Sequence, residues 1–152
     1  MPIILLKYFA FCLITSILLA LLEIQTEGKY GWAEKLPTWR FNLKLFDSIP
    51  GLNGAFTGYH IYLFVSVLFL MHLPFMFMRW DIHSEAIILS AYMIITRWED
   101  FLWFVLNPNF GLKKFKKEYI PWHEHWLGFL PLQYYYSISI WIVLFLYGFR
   151  FI

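Results

Sequence analysis

The chain contains a single cysteine in 152 residues. That excludes an internal disulfide and any metal site built on thiolates. Cys12 lies inside an apolar run, where a thiol behaves as a small hydrophobe. Charge is scarce too. Asp, Glu, Lys and Arg make up 14% of the residues, against about 25% in ordinary soluble domains. The formal net charge is +2, too small for a nucleic-acid-binding surface, and the basic residues gather in two links. No H-E-x-x-H occurs, and no Glu-x-x-His, so the zincin signature and the ferritin-like di-iron signature are both missing. There is no internal repeat and no low-complexity linker. The first apolar run lacks a basic leader and an Ala-x-Ala site, so it does not read as a signal peptide.

What the chain has in abundance is apolar and aromatic surface. Hydrophobic residues make up 61% and aromatics 23%, more than a water-soluble fold of this size can hide. Crossing a bilayer as a helix takes about 20 apolar residues, and four stretches qualify: 2–22, 59–78, 84–106 and 132–151. The expected fold is therefore all-α, a polytopic four-transmembrane-helix bundle in a single domain, 1–152. Its links 23–58 and 107–131 are rich in Trp and Tyr, which prefer the headgroup level, so they are expected to form an ordered aromatic interfacial cap. Gly28, Gly31, Gly51, Gly54 and Gly58 supply turns in the first link.

Four spans would place both links on one face, and the termini with the 79–83 turn on the other. Lys29, Lys35, Arg40, Lys44 and the "KKFKK" run at 113–117 belong to the cap face. Basic residues collect in cytoplasmic loops. The expected location is an inner or plasma membrane, multi-pass, with both termini on the non-cytoplasmic side. The lysine run then meets anionic headgroups at about 1 kcal/mol per charge.

Sorting the ionisable residues by depth brings out a cluster. Glu23 and Glu27 stand at the cap end of the first run, His60 opens the second, and His123 and His125 precede the fourth within "IPWHEHW". Glu99 and Asp100 lie about 10 Å inside the third at 1.5 Å per residue. Glu85, Tyr92, Thr96, Glu99 and Trp103 form one helical stripe, expected to face the interior. A carboxylate at that depth costs about 2.5–3.5 kcal/mol unless it has a partner. Carboxylates and imidazoles together suit zinc, iron or manganese. The expected site is a divalent metal held by His60, Glu99, Asp100 and His123, with His125 competing for the last position. Glu27 and Asp100 are the candidate catalytic carboxylates, and Glu27 could also be a ligand. His72 lies too deep to join and is expected to make a structural hydrogen bond near Pro74; His83 belongs to the far turn.

These residues imply an integral membrane metalloprotein, an enzyme acting on a lipid-soluble substrate in contact with membrane lipids. Five histidines are too few for the histidine boxes of membrane desaturases and hydroxylases. Three other arrangements use the same residues. Arg97 could neutralise the carboxylates as a structural ion pair. His60 with His123 or His125 could hold haem in an electron carrier. The deep carboxylates could serve a transporter, a proton path or an accessory subunit.

Overall fold

A computed structural model of the protein describes residues 1–47, 49 and 54–152; Gly51, expected at a turn, lies outside them. Among the described residues the fold is mostly helical, 65% of it in five α-helices and short 3₁₀ turns together. Helix α1 (Pro2–Glu27) begins with proline in its first turn, where the missing N–H costs nothing. It ends at Gly28, whose positive φ of 63° suits glycine and whose N–H donates to Ile24 O at 2.9 Å. Strand β1 (Arg40–Asn42), the short α2 (Lys44–Asp47) and strand β2 (Ala55–Thr57) follow, with β1 and β2 antiparallel and Arg40 opposite Thr57. Helix α3 (Gly58–Met71) is N-capped by Thr57, and α4 (Ile82–Leu106) by Asp81. A two-residue hairpin, β3 (Trp126–Leu127) with β4 (Leu130–Pro131), leads into α5 (Leu132–Gly148).

Helix α4 is the centre of the molecule, packed between α1 and α5, with α3 touching it less. The buried residues of α1 are Tyr8, Cys12, Ser16, Ala20, Glu23, Ile24 and Glu27. They recur every three or four positions, one stripe of a helix. Cys12, Ser16 and Ala20 are small enough to let two backbones approach. The Ser16 hydroxyl reaches across the seam to Ile95 O at 3.2 Å. Tyr8 Oη meets Ser90 Oγ at 2.8 Å and accepts from Trp141 Nε1 at 3.1 Å, joining α1, α4 and α5. Between α4 and α5, Gly148 lies so close to Ile87 that a Cβ would clash.

The helical expectation holds, and among the described residues one helix, α1, is long and apolar enough to cross a membrane. The 59–78 run does not form one helix. Pro74 has no N–H and disfavours helical backbone before it; α3 ends at Met71 and a 3₁₀ turn, Leu73–Met76, follows. Fourteen residues reach roughly 21 Å, short of the ~30 Å hydrocarbon core. Helix α4 is long enough, but Glu85, Arg97, Glu99 and Asp100 all lie on it. Helix α5 stops at Gly148, with 17 residues. His72 does bond structurally: its Nδ1 lies 2.7 Å from Leu68 O and its Nε2 3.0 Å from Glu85 Oε1.

The two links interlock. Gly31 lies flush against the Trp122 ring with no room for a Cβ, and Asn107 Nδ2 donates to Gly28 O at 2.7 Å. Beneath them Trp103, Phe104 and Ile120 are buried together with Ala20 and Ile24. This aromatic lid covers one end of the helices, where the polar side chains meet.

Candidate functional site

The end of α1, the start of α3, the last third of α4 and the start of α5 converge under the links. A cavity of about 110 Å3 lies there, and Glu23, Glu27, His60, Glu99 and Asp100 are all on its wall. Glu23 and Glu27 are four residues apart on α1, hence on one face. Because α1 runs to Glu27, past the apolar stretch, both are carried into the cavity on helix.

His60 sits in the first turn of α3. Its Nδ1 lies 2.7 Å from the hydroxyl of Thr57, which also accepts the His60 N–H at 3.3 Å. That contact turns Nε2 inward, to 3.4 Å from Glu27 Oε1 and 3.9 Å from Glu23 Oε1. One donor atom from each of Glu23, Glu27 and His60 lies within 4.8 Å of the others, and all three residues are buried. Both distances exceed an ordinary hydrogen bond and lie within ion-pair reach of His60.

The lid finishes this half. Trp32 stacks on the His60 ring, 4.5 Å between centroids. Trp32 and Ala33 both have positive φ, 56° and 51°, a conformation that costs non-glycine residues of order 1–3 kcal/mol and clusters at functional sites. Arg40 holds it by donating to Trp32 O at 3.2 Å and to Ala33 O. The strained turn aims the Ala33 N–H at Glu27 Oε1, 2.6 Å away.

Opposite lie Glu99, Asp100 and His123. Glu99 is 1% exposed, and its Oε1 has no hydrogen-bond partner. Glu23, on the α1 side, lines the same cavity. Asp100 Oδ2 accepts from Tyr134 Oη and lies 3.3 Å from His123 Nε2. The other nitrogen of His123, Nδ1, is 2.6 Å from the Gln133 amide. Arg97 does not curl onto Glu99: its guanidinium lies over the Tyr134 ring at 5.4 Å, and Nε and Nη1 are buried without hydrogen-bond partners.

Of the residues singled out in the sequence, Glu27, His60, Glu99, Asp100 and His123 are drawn to this one end. His125 is not; it is exposed. Residues 120–123 form a turn, with the His123 N–H bonded to Ile120 O at 3.2 Å, and the two histidines of "HEH" differ in burial. Glu23 joins beside Glu27, 3.9 Å against 3.4 Å from His60 Nε2. Thr57, Trp32, Gln133 and Tyr134 were not anticipated. Only Thr57 had a sequence signal, as a threonine preceding an apolar run in N-cap position. The space is also well below the roughly 300–1,000 Å3 of pockets enclosing drug-sized ligands, too little for a porphyrin between His60 and His123. Comparison with protein-family models, with curated proteins and with solved structures finds no match to this chain, so its function is argued from the site alone.

Proposed function

We propose that the protein is a multi-pass membrane metalloprotein whose divalent ion is held by Glu23, Glu27 and His60, and that it acts as an enzyme on a lipid-soluble substrate. One observation carries the metal reading: two buried carboxylates and an imidazole turn their donor atoms to within 4.8 Å of one another. Support comes from the Thr57 hydroxyl on His60 Nδ1, since a ligating histidine is held by a hydrogen bond at its other nitrogen. Glu27, expected either as a ligand or as a base, is a ligand in this reading. Zinc, iron and manganese all accept such a donor set, and each bound there would acidify a coordinated water.

The membrane reading is supported by apolar side chains left facing outward around the bundle: Phe11 and Leu18 on α1, Val65 and Phe69 on α3, Ile140 and Val143 on α5. Helix α4, which carries the charges, is the shielded one. With the 3₁₀ turn added, α3 and its continuation approach the length of a span. The substrate class is supported by an apolar recess of about 180 Å3 between α4 and α5, lined by Ile94, Trp98, Phe101 and Ile138. Arg97 is on the wall of both the recess and the cavity, and Tyr134 of the recess bonds Asp100 of the cavity, so a lipid chain in the recess would bring its polar end toward the ion.

The test is metal analysis of the full chain purified in detergent and loaded separately with zinc, iron(II) and manganese(II). A stoichiometric ion is expected with at least one of them. His60→Ala should lose the ion at this position, and His125→Ala should bind as wild type. A folded protein that retains none of the three overturns the reading.

A further inference from the structure

We infer that Arg97 anchors an anionic headgroup, so that the ligand of the apolar recess between α4 and α5 is a single-chain amphiphile ending in a carboxylate or a phosphate. This rests on the lipid-soluble substrate proposed above and names its chemistry. Arg97 Nε and Nη1 are buried with no hydrogen-bond partner. The next residues but one and two on α4 are the acidic Glu99 and Asp100, yet the ion pairs among the described residues leave Arg97 out. Guanidinium N–H groups withdrawn from water without acceptors are costly. Inside a membrane bundle, such a cation marks a functional position.

The recess supplies what an amphiphile needs. Ile94, Trp98, Phe101, Leu130 and Ile138 surround one charged side chain, Arg97. Tyr134, also on the wall, is committed elsewhere: its Oη donates to Asp100 Oδ2, which lies 3.3 Å from His123 Nε2. The Tyr134 ring still serves Arg97, whose guanidinium lies over it at 5.4 Å. That contact holds the cation in place without neutralising it. The planar fork of a guanidinium matches two oxygens of a carboxylate or phosphate, and a hydrocarbon chain fills the apolar remainder. A neutral lipid would leave the charge without an acceptor, which is how such a site rejects it.

Access and position agree with this occupant. Arg97, Trp98, Phe101, Leu130 and Ile138 are all half-buried, so the recess is open toward the outside of the bundle, where a chain enters from the membrane. Arg97 also stands on the wall of the polar cavity. The head it holds therefore lies where the two spaces meet, with the tail directed away from Glu23, Glu27 and His60.

Trp98 gives a local readout, because bromine on an alkyl chain quenches a tryptophan that it touches. The probes are a brominated fatty acid, the matching alkyl phosphate and the matching neutral alcohol. Each is titrated into metal-free, full-length protein in nonionic detergent, with concentrations taken in the micellar phase. At least one anion is expected to bind the wild type about 10–100-fold more tightly than the alcohol, the range of a charge-assisted hydrogen bond. Arg97→Gln should bring all three probes to one weak affinity, and Arg97→Lys should restore part of the difference. Trp98→Phe should lose most of the quenching; quenching retained in full overturns the recess as the tail site. Inorganic phosphate, which has the charge without the chain, should not displace the bound anion, and displacement at equal concentration overturns the need for a tail. A wild-type protein that binds neither anion more tightly than the alcohol overturns the anchor, as does Arg97→Gln with its preference intact. Should Arg97→Gln not fold, the wild-type comparison of anions with alcohol decides alone. Metal is absent throughout, and His60→Ala should bind the probes as wild type. Failure of the anchor therefore leaves the metal site standing, and failure to bind metal leaves the anchor standing.

Discussion

Thr57 does two things with one oxygen: it caps α3 and orients His60. Thr57→Val keeps the shape and removes the hydroxyl, so His60 loses the bond that turns Nε2 inward. Metal affinity should fall about 10–100-fold, read by titration with the helical signal preserved; unchanged affinity would show that the hydroxyl does not orient the ring. At this scale the sequence exposed the right kinds of residue but not their directions. Histidines two apart point together in a strand and about 200° apart in a helix, and residues 120–125 are neither. Burial of His123 and exposure of His125 follow from contacts with Asp100 and Gln133, made by residues 23 and 10 positions away. Glu23 and Glu27 were both visible as one helical face, but whether α1 continued that far depended on Gly28 meeting Asn107.

Among the elements, α4 organises the rest, and its N-terminus carries a checkable electrostatic feature. The Ser84 hydroxyl donates to Asp81 Oδ2 at 2.5 Å, and the backbone N–H groups of Ser84 and His83 donate to Oδ1. Those bonds, the Ser84 side chain first, hold the Asp81 carboxyl below its usual value. A depressed folded value means that the capping stabilisation is present above the unfolded carboxyl value, about 3.9. It is lost as pH falls through the lower folded value. The thermal midpoint should drop over that acidic window in wild type and less in Asp81→Asn; equal slopes would remove the cap as the cause. Helix α3 shows the limit of reading elements from hydropathy. The run 59–78 is apolar throughout, yet Pro74 ends the helix at Met71 because backbone hydrogen bonding, not polarity, sets where a helix stops.

For the whole molecule, the proposed topology puts the 107–131 link in the cytoplasm and the 79–83 turn outside. Lys116 and Arg79 are both exposed, and Cys12 is buried. In a Cys12→Ser background, Arg79→Cys should react with a membrane-impermeant maleimide on intact cells, and Lys116→Cys only after permeabilisation. Reaction of both from one side would rule out the multi-pass arrangement.

Composition by itself settled that this chain carries far more apolar surface than its interior absorbs, because that property is a sum over residues, and the long apolar runs marked it as mostly helical. Spacing along the chain put Thr96, Glu99 and Trp103 on one buried stripe, since a helix repeats every 3.6 residues whatever surrounds it, but Glu85 and Tyr92 of that stripe are only half-buried and Ser90, Ala91, Ile94 and Ile95 are buried beside it. The gathering of Glu23, Glu27, His60, Glu99, Asp100 and His123 at one end was foreseen as a level, not as a geometry. Which nitrogen faces inward and why Arg97 turns to Tyr134 instead of Glu99 were decided by tertiary structure. Those choices depend on distances of a few ångströms between segments far apart in the chain, fixed by the small-residue seam of α1 and α4 and by the strained turn at Trp32 and Ala33.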